Sequence, residues 1–154
     1  MVAKKDEAAE TTDREIVFTR LFDFPRELVF KAWTDPAHLV HWWGPKGFTN
    51  TFHEFDLRSG GIWRFVMHGP NGTYFHNKSV FVEIVNPERI VFEHLEPMHK
   101  FQVTAIFEDL GVKTKVTFRM LFETVAECNR VKVYAADANE ENFDRLEAEL
   151  ARMV

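Results

Sequence analysis

Residues 55–77 read FDLRSGGIWRFVMHGPNGTYFHN, and this stretch decides the fold. Between Ile62 and His68 the odd positions are Trp63, Phe65 and Met67, while the even ones are Ile62, Arg64, Val66 and His68. That is a period-2 pattern with its bulk on one face, the mark of a strand packed on one side. The turn His68-Gly69-Pro70-Asn71-Gly72 follows. Proline presets φ there, and Asn and Gly tolerate the positive φ that chain reversal demands. Upstream, Gly60-Gly61 lets the backbone enter the strand through a bend that a side chain would obstruct. The stretch therefore predicts a curved antiparallel hairpin whose aromatic face is either ordinary core or the wall of a ligand cavity.

Towards the N-terminus, residues 1–13 (MVAKKDEAAETTD) are polar and small, and read as a flexible arm. Arg14 to Phe24 carries Ile16, Phe18, Phe22 and Phe24 on one parity with Arg20 interrupting, a first strand that Pro25 ends. Leu28, Val29, Ala32 and Trp33 then recur at helical spacing. Asp35-Pro36 supplies a cap and a first-turn proline for a second short helix through His41, Trp42 and Trp43, and Gly44-Pro45 stops it. Thr49 to Leu57 forms the strand before the hairpin, whose second arm runs from about Thr73 to Val85. Arg89 to Leu95, Phe101 to Glu108 and Val112 to Phe122 complete about seven strands in mostly sequential antiparallel order. The last of these alternates Val112, Thr114, Val116, Phe118, Met120 and Phe122 with Lys113, Lys115, Thr117 and Arg119, so one face is wet and the other dry.

Thr124-Val125-Ala126-Glu127 matches a capping box and opens a long helix towards Met153, with Phe143, Leu146, Leu150 and Met153 at helical spacing near its end. In its middle, Ala135, Ala136 and Ala138 are the candidates for the inward face. Small residues on a long helix against an aromatic sheet leave volume for large side chains or for a guest.

The chain has 154 residues, enough for one domain that buries about 70% of the surface its unfolded form exposes. Its 24 acidic and 19 basic residues give a net charge of −5, and without a basic run a nucleic-acid partner is not expected. One cysteine, Cys128, excludes an internal disulfide and fits a reducing compartment. No apolar run approaches the ~18 residues of a membrane span, and no apolar signal core follows the N-terminal charges. The expected location is the cytoplasm.

Three stretches carry a resemblance: WTDPAHLVHWWGPKGFT (33–49), DLRSGGIWRFVMHGPNGTYFHN (56–77) and VEIVNPERIVFEH (82–94). They resemble the activator-of-heat-shock-protein-ATPase homologue family, within the START-like or SRPBCC superfamily that also holds birch-pollen-type allergens and polyketide cyclases. The likeness extends from Arg14 to the C-terminus and implies one α+β domain over residues 14–154, of the helix-grip fold. In that fold a seven-stranded curved antiparallel sheet wraps a long C-terminal helix, with a hydrophobic cavity between them and two short helices after strand 1. Superfamily members bind lipids, hormones or polyketides, a few are cyclases, and the eukaryotic namesake assists the ninety-kilodalton heat-shock chaperone. The likeness to that namesake covers one of its two domains and leaves out the one that makes the main chaperone contact, so it does not lead to an expected chaperone partner.

The residues themselves mark little chemistry. His38 and His41 lie three apart on a short helix, a spacing that can hold a metal, but no further ligand is fixed beside them, so no metal or other cofactor is expected. His68 and His99 sit near turns and read as solvated. His53, His76 and His94 lie in strands, where one could face the cavity as a general acid or base, with His76 and His94 the better placed. Cys128 reads as packing. Arg64 with Glu83, or Arg119 with Glu123, reads either as a ligand anchor or as part of the wet sheet face.

The leading expectation is a non-catalytic module that holds a small apolar or amphipathic molecule between the long helix and the sheet. Parity assigns its wall to Trp43, to Trp63, Phe65 and Met67 of the hairpin, and to Phe92, Val103, Phe118 and Met120 of the later strands. The helix adds Tyr134, Ala138 and Phe143. The alternatives are a cyclase-like or hydrolytic enzyme using a cavity histidine, and a stress-response module that regulates a chaperone ATPase. The sequence leaves a homodimer open.

Overall fold

The computed structural model describes residues 13–98 and 100–154. Most of the arm expected over residues 1–13, and His99, lie outside the described residues. Strand β1 spans Glu15–Phe22, followed by two helices, α1 (Arg26–Thr34) and α2 (Pro36–Trp42). Strands β2 (Thr49–Phe55), β3 (Ile62–His68), β4 (Tyr74–Val85), β5 (Arg89–Glu96), β6 (Phe101–Asp109) and β7 (Thr114–Phe122) come next, and helix α3 (Val125–Met153) closes the chain. The seven strands form one antiparallel sheet in the order β1-β7-β6-β5-β4-β3-β2. From β2 to β7 it is a meander, and β1 closes it by pairing with β7, Phe18 opposite Phe118. This is the helix-grip arrangement.

Local chemistry accounts for the joints. Asp35 caps α2 through its carboxylate, which accepts the Ala37 N–H at 3.0 Å. Thr124 Oγ1 does the same for α3 by accepting the Glu127 N–H at 3.1 Å. At Gly61 any Cβ would stand 1.9 Å from the Asp56 carbonyl oxygen, so only glycine can enter β3 through that bend. The alternation expected of the last strand begins later than its sequence suggests. Val112 lies in the turn before β7 and is exposed, because Leu110 to Lys113 make the reversal instead of extending the ladder.

The core lies where α1, α2 and the C-terminal half of α3 cover the sheet. Phe22, Val29, Trp42, Phe107, Phe143, Leu146 and Leu150 are fully enclosed there. The Trp33 ring meets those of Trp42 and Phe107 edge-on at 4.9 and 5.6 Å. Trp42 also donates its indole N–H to the Ala32 carbonyl at 2.9 Å, so this buried polar atom is satisfied within the fold. A second, smaller cluster of Phe122, Cys128, Val131 and Ala135 fastens the start of α3.

Candidate functional site

Between these two clusters the helix and the sheet separate around a pocket of about 190 Å³. Strand β3 supplies Trp63, Phe65 and Met67 on the parity that its sequence predicts. Phe92, Val103, Phe118 and Met120 continue the apolar wall through β5, β6 and β7, and Trp43 closes it from the loop after α2. The Trp42-Trp43 pair is therefore divided: Trp42 belongs to the core, and Trp43 covers the pocket.

Apart from Gly44 and Phe101, the rest of the lining is polar. Asn77 and Ser79 of β4, His94 of β5, and Asn139 and Asn142 of α3 all reach the pocket, and all but His94 are buried. Asn77 Nδ2 donates to the Phe75 carbonyl at 3.0 Å, and Asn142 Oδ1 accepts the Gly44 N–H at 3.1 Å. His94 Nε2 is 3.1 Å from the Pro97 carbonyl oxygen. A carbonyl only accepts, so this nitrogen carries the proton. The ring lies on Phe101 at 4.6 Å. Asn139 Nδ2 and Trp63 Nε1 have no hydrogen-bond partner among the described residues.

The pocket adjoins an outer hollow of about 360 Å³, and the two share Met67, Asn77, His94 and Phe101. Phe48, Phe75 and Pro97 add apolar surface to the hollow, and the exposed side chains of Met98 and Tyr134 stand at its edge.

One side chain holds the loop that carries Trp43. Arg145 of α3 donates to the carbonyls of His41, Gly44, Pro45 and Phe48 at 2.8–2.9 Å and to that of Trp43 at 3.4 Å. Burial lowers its pKa. Lys46 N–H donates to Glu141 of the same helix at 3.1 Å, and Asn50 Nδ2 reaches the Val40 and Trp43 carbonyls from β2. Gly44 has φ +101°, a conformation that favours glycine, and a Cβ there would also stand 2.6 Å from Met67 Cε and push it aside.

Eight of the side chains expected along the wall thus border the pocket, and the three from the helix stand elsewhere. Tyr134 is exposed at the outer hollow, Ala138 is half-buried off the pocket, and Phe143 is fully buried one turn on, edge-on to Phe22 at 5.8 Å. The reason is the helix phase. The buried stripe runs through Cys128, Val131, Ala135, Asn139, Asn142, Leu146 and Leu150, which keeps Ala135 inward but puts Asn139 and Asn142 there in place of Ala136 and Ala138. His76 does not face the pocket either. On β4 the inward positions are Asn77 and Ser79, which turns His76 to the exposed face beside His53 and Lys78. Arg64, Glu83 and Arg119 lie away from the pocket and pair with Glu54, Arg89 and Glu15 respectively. His38 bonds Glu149 of α3 at 2.9 Å.

Sheet, grip helix and bordered pocket together define a START-like domain. The profile of the family described as Activator of Hsp90 ATPase homolog 1-like protein matches residues 23–151, and the chain belongs to that family. Among solved structures, a protein of Arthrobacter aurescens superposes with a TM-score of 0.85 at 23% identity, over 92% of this chain and 88% of that one. A protein of Rhodobacter sphaeroides gives 0.84 at 24% identity, over 92% and 95%. The AHSA1 protein of Silicibacter pomeroyi gives 0.75 at 20%, over 91% and 99%. At these identities the likeness is one of fold. A comparison with curated proteins finds no match. Among the described residues no helix is long and apolar enough to cross a membrane.

Proposed function

We propose that residues 14–154 form one cytoplasmic binding domain that takes a small, largely apolar or amphipathic molecule into the pocket beneath the Trp43 loop. The observation that carries this reading is the pocket's mixed lining. Aromatic walls offer area for a ring or chain, and Asn139 Nδ2 and Trp63 Nε1 stand buried at the pocket with no partner among the described residues. A few polar groups in an apolar hollow fix a ligand's orientation, whereas a filled core has no use for them. Holding is favoured over turnover because His94, the histidine of the lining, has its Nε2–H engaged by the Pro97 carbonyl and its face on Phe101.

Native mass spectrometry of freshly purified protein, followed by a thermal-shift screen of fatty acids, sterols, flavonoids and polyketides, tests the reading. Selective binding to the native state stabilises by mass action, by about 2.7 kcal/mol at a hundredfold excess over Kd. The expected result is a co-purified small molecule or a saturable upward shift. An empty protein with no responding compound overturns it and leaves the chaperone-ATPase interaction that the family description names.

A further inference from the structure

The polar atoms of the pocket fall into two sets. Asn142 Oδ1 and Asn77 Nδ2 are used by the fold, on the Gly44 amide and the Phe75 carbonyl. Asn139 Nδ2 and Trp63 Nε1 are not, although Asn139 is 9% and Trp63 2% exposed. Trp42, enclosed to the same degree, finds a backbone carbonyl for its indole N–H. Trp33, whose N–H also lacks a partner, is not part of the lining. Both unpaired atoms at the pocket are donors, and an indole nitrogen can do nothing but donate. Buried donors of this kind mark a place where an acceptor belongs.

Charge narrows the class further. No Asp, Glu, Lys or Arg lines the pocket among the described residues. A carboxylate or phosphate drawn inside would lose its hydration and gain no counter-charge. Size fits a ring. An engineered apolar cavity of about 150 Å³ holds benzene, so 190 Å³ takes a substituted ring, and a larger ligand would extend into the outer hollow.

Resting on the binding reading above, we infer that the ligand is an uncharged, ring-bearing molecule whose oxygen, a ketone, ester, amide or ether, accepts from Asn139 Nδ2–H or Trp63 Nε1–H. The probes are acetophenone, α-methylstyrene and benzoate, which share one ring and nearly one shape. They differ in presenting a carbonyl, no acceptor, or a charge. Each is titrated into ¹⁵N-labelled protein, with the Asn139 side-chain amide and the Trp63 indole assigned. Acetophenone binds about tenfold more tightly than α-methylstyrene, the worth of one buried neutral hydrogen bond. It moves one or both donor signals downfield, while benzoate binds most weakly. In Asn139→Leu, or in Trp63→Phe where the indole signal is the one that moves, the preference for the ketone shrinks.

Without any probe, Asn139→Leu raises the thermal midpoint, since an unpaired amide gives way to an apolar side chain of similar size. Equal or tighter binding of the alkene, or benzoate binding most tightly, overturns the inference and leaves the binding domain standing. A lowered midpoint in Asn139→Leu also overturns it, because the amide would then be serving the fold. If none of the three binds, the inference falls, while the binding reading stands or falls with the wider screen above.

Discussion

The middle and the C-terminal half of α3 face the same sheet, and they meet it differently. Phe143, Leu146 and Leu150 are fully enclosed, with the rings of Phe18, Phe22 and Phe118 packed edge-on around Phe143 at 5.8–6.2 Å. One turn earlier, Asn139 and Asn142 occupy the corresponding inward positions and the sheet stands off by the width of a pocket. Above that gap the helix reaches outward instead, holding residues 41–48 through Glu141, Asn142 and Arg145. The apolar end fixes the helix, and the polar middle builds a roof.

The largest test of this contrast is at the sealed end. Leu146→Ala removes a fully buried side chain that neighbours cannot replace, and should cost about 2–5 kcal/mol in urea unfolding. A cost below about 1 kcal/mol would mean that this end is not the anchor. Next comes the roof. Arg145→Met keeps most of the aliphatic stem and removes every donor; Trp43 keeps Asn50 and Pro45 keeps the Phe48 N–H, but the His41, Gly44 and Phe48 carbonyls lose their side-chain donor, for a loss of about 2 kcal/mol. Hydrogen exchange at the Gly44 and Lys46 amides should quicken in that variant while β6 and β7 amides keep their protection. Uniform acceleration would show that the loop is not a separate unit.

The smallest effect is set by pH. Burial pushes the Glu149 carboxyl up, but the bonds from His38 and Arg152 outweigh it and hold the pKa below its ordinary 4.5. A depressed folded-state pKa gives stability that is present above 4.5 and lost as pH falls through the lower native value. Unfolding free energy should therefore decline below pH 4.5, and Glu149→Gln should flatten that decline. An unchanged slope would remove Glu149 from the account.

The seven strands, the Asp35 and Thr124 caps and the glycine bend were all legible in the sequence, because each follows from a local rule: period 2, a capping oxygen, a missing Cβ. The sheet side of the pocket was legible for the same reason, since strand parity places Trp63, Phe65 and Met67 together. The helix side was not. Expecting the inward face to be small or apolar drew attention to Ala136 and Ala138 and away from Asn139 and Asn142. Counting back from Leu150 and Leu146 by four and three reaches 142, 139 and 135, so the signal was present as spacing without hydrophobicity. Arg145 and its five carbonyls left no trace in the sequence, because backbone acceptors have no residue type.

The pairing of β1 with β7 also sets a schedule. Glu15 is opposite Leu121, so during synthesis β1 must wait for β7, the last strand of the sheet. At bacterial to eukaryotic synthesis speeds roughly a hundred residues take on the order of five to twenty seconds. Throughout that interval β2 to β6 can zip neighbour to neighbour, while Ile16, Phe18 and Phe22 have no strand to join. Until β7 emerges, β1 thus offers a sticky, unpaired face, and completing the sheet is a matter of timing as much as of contacts.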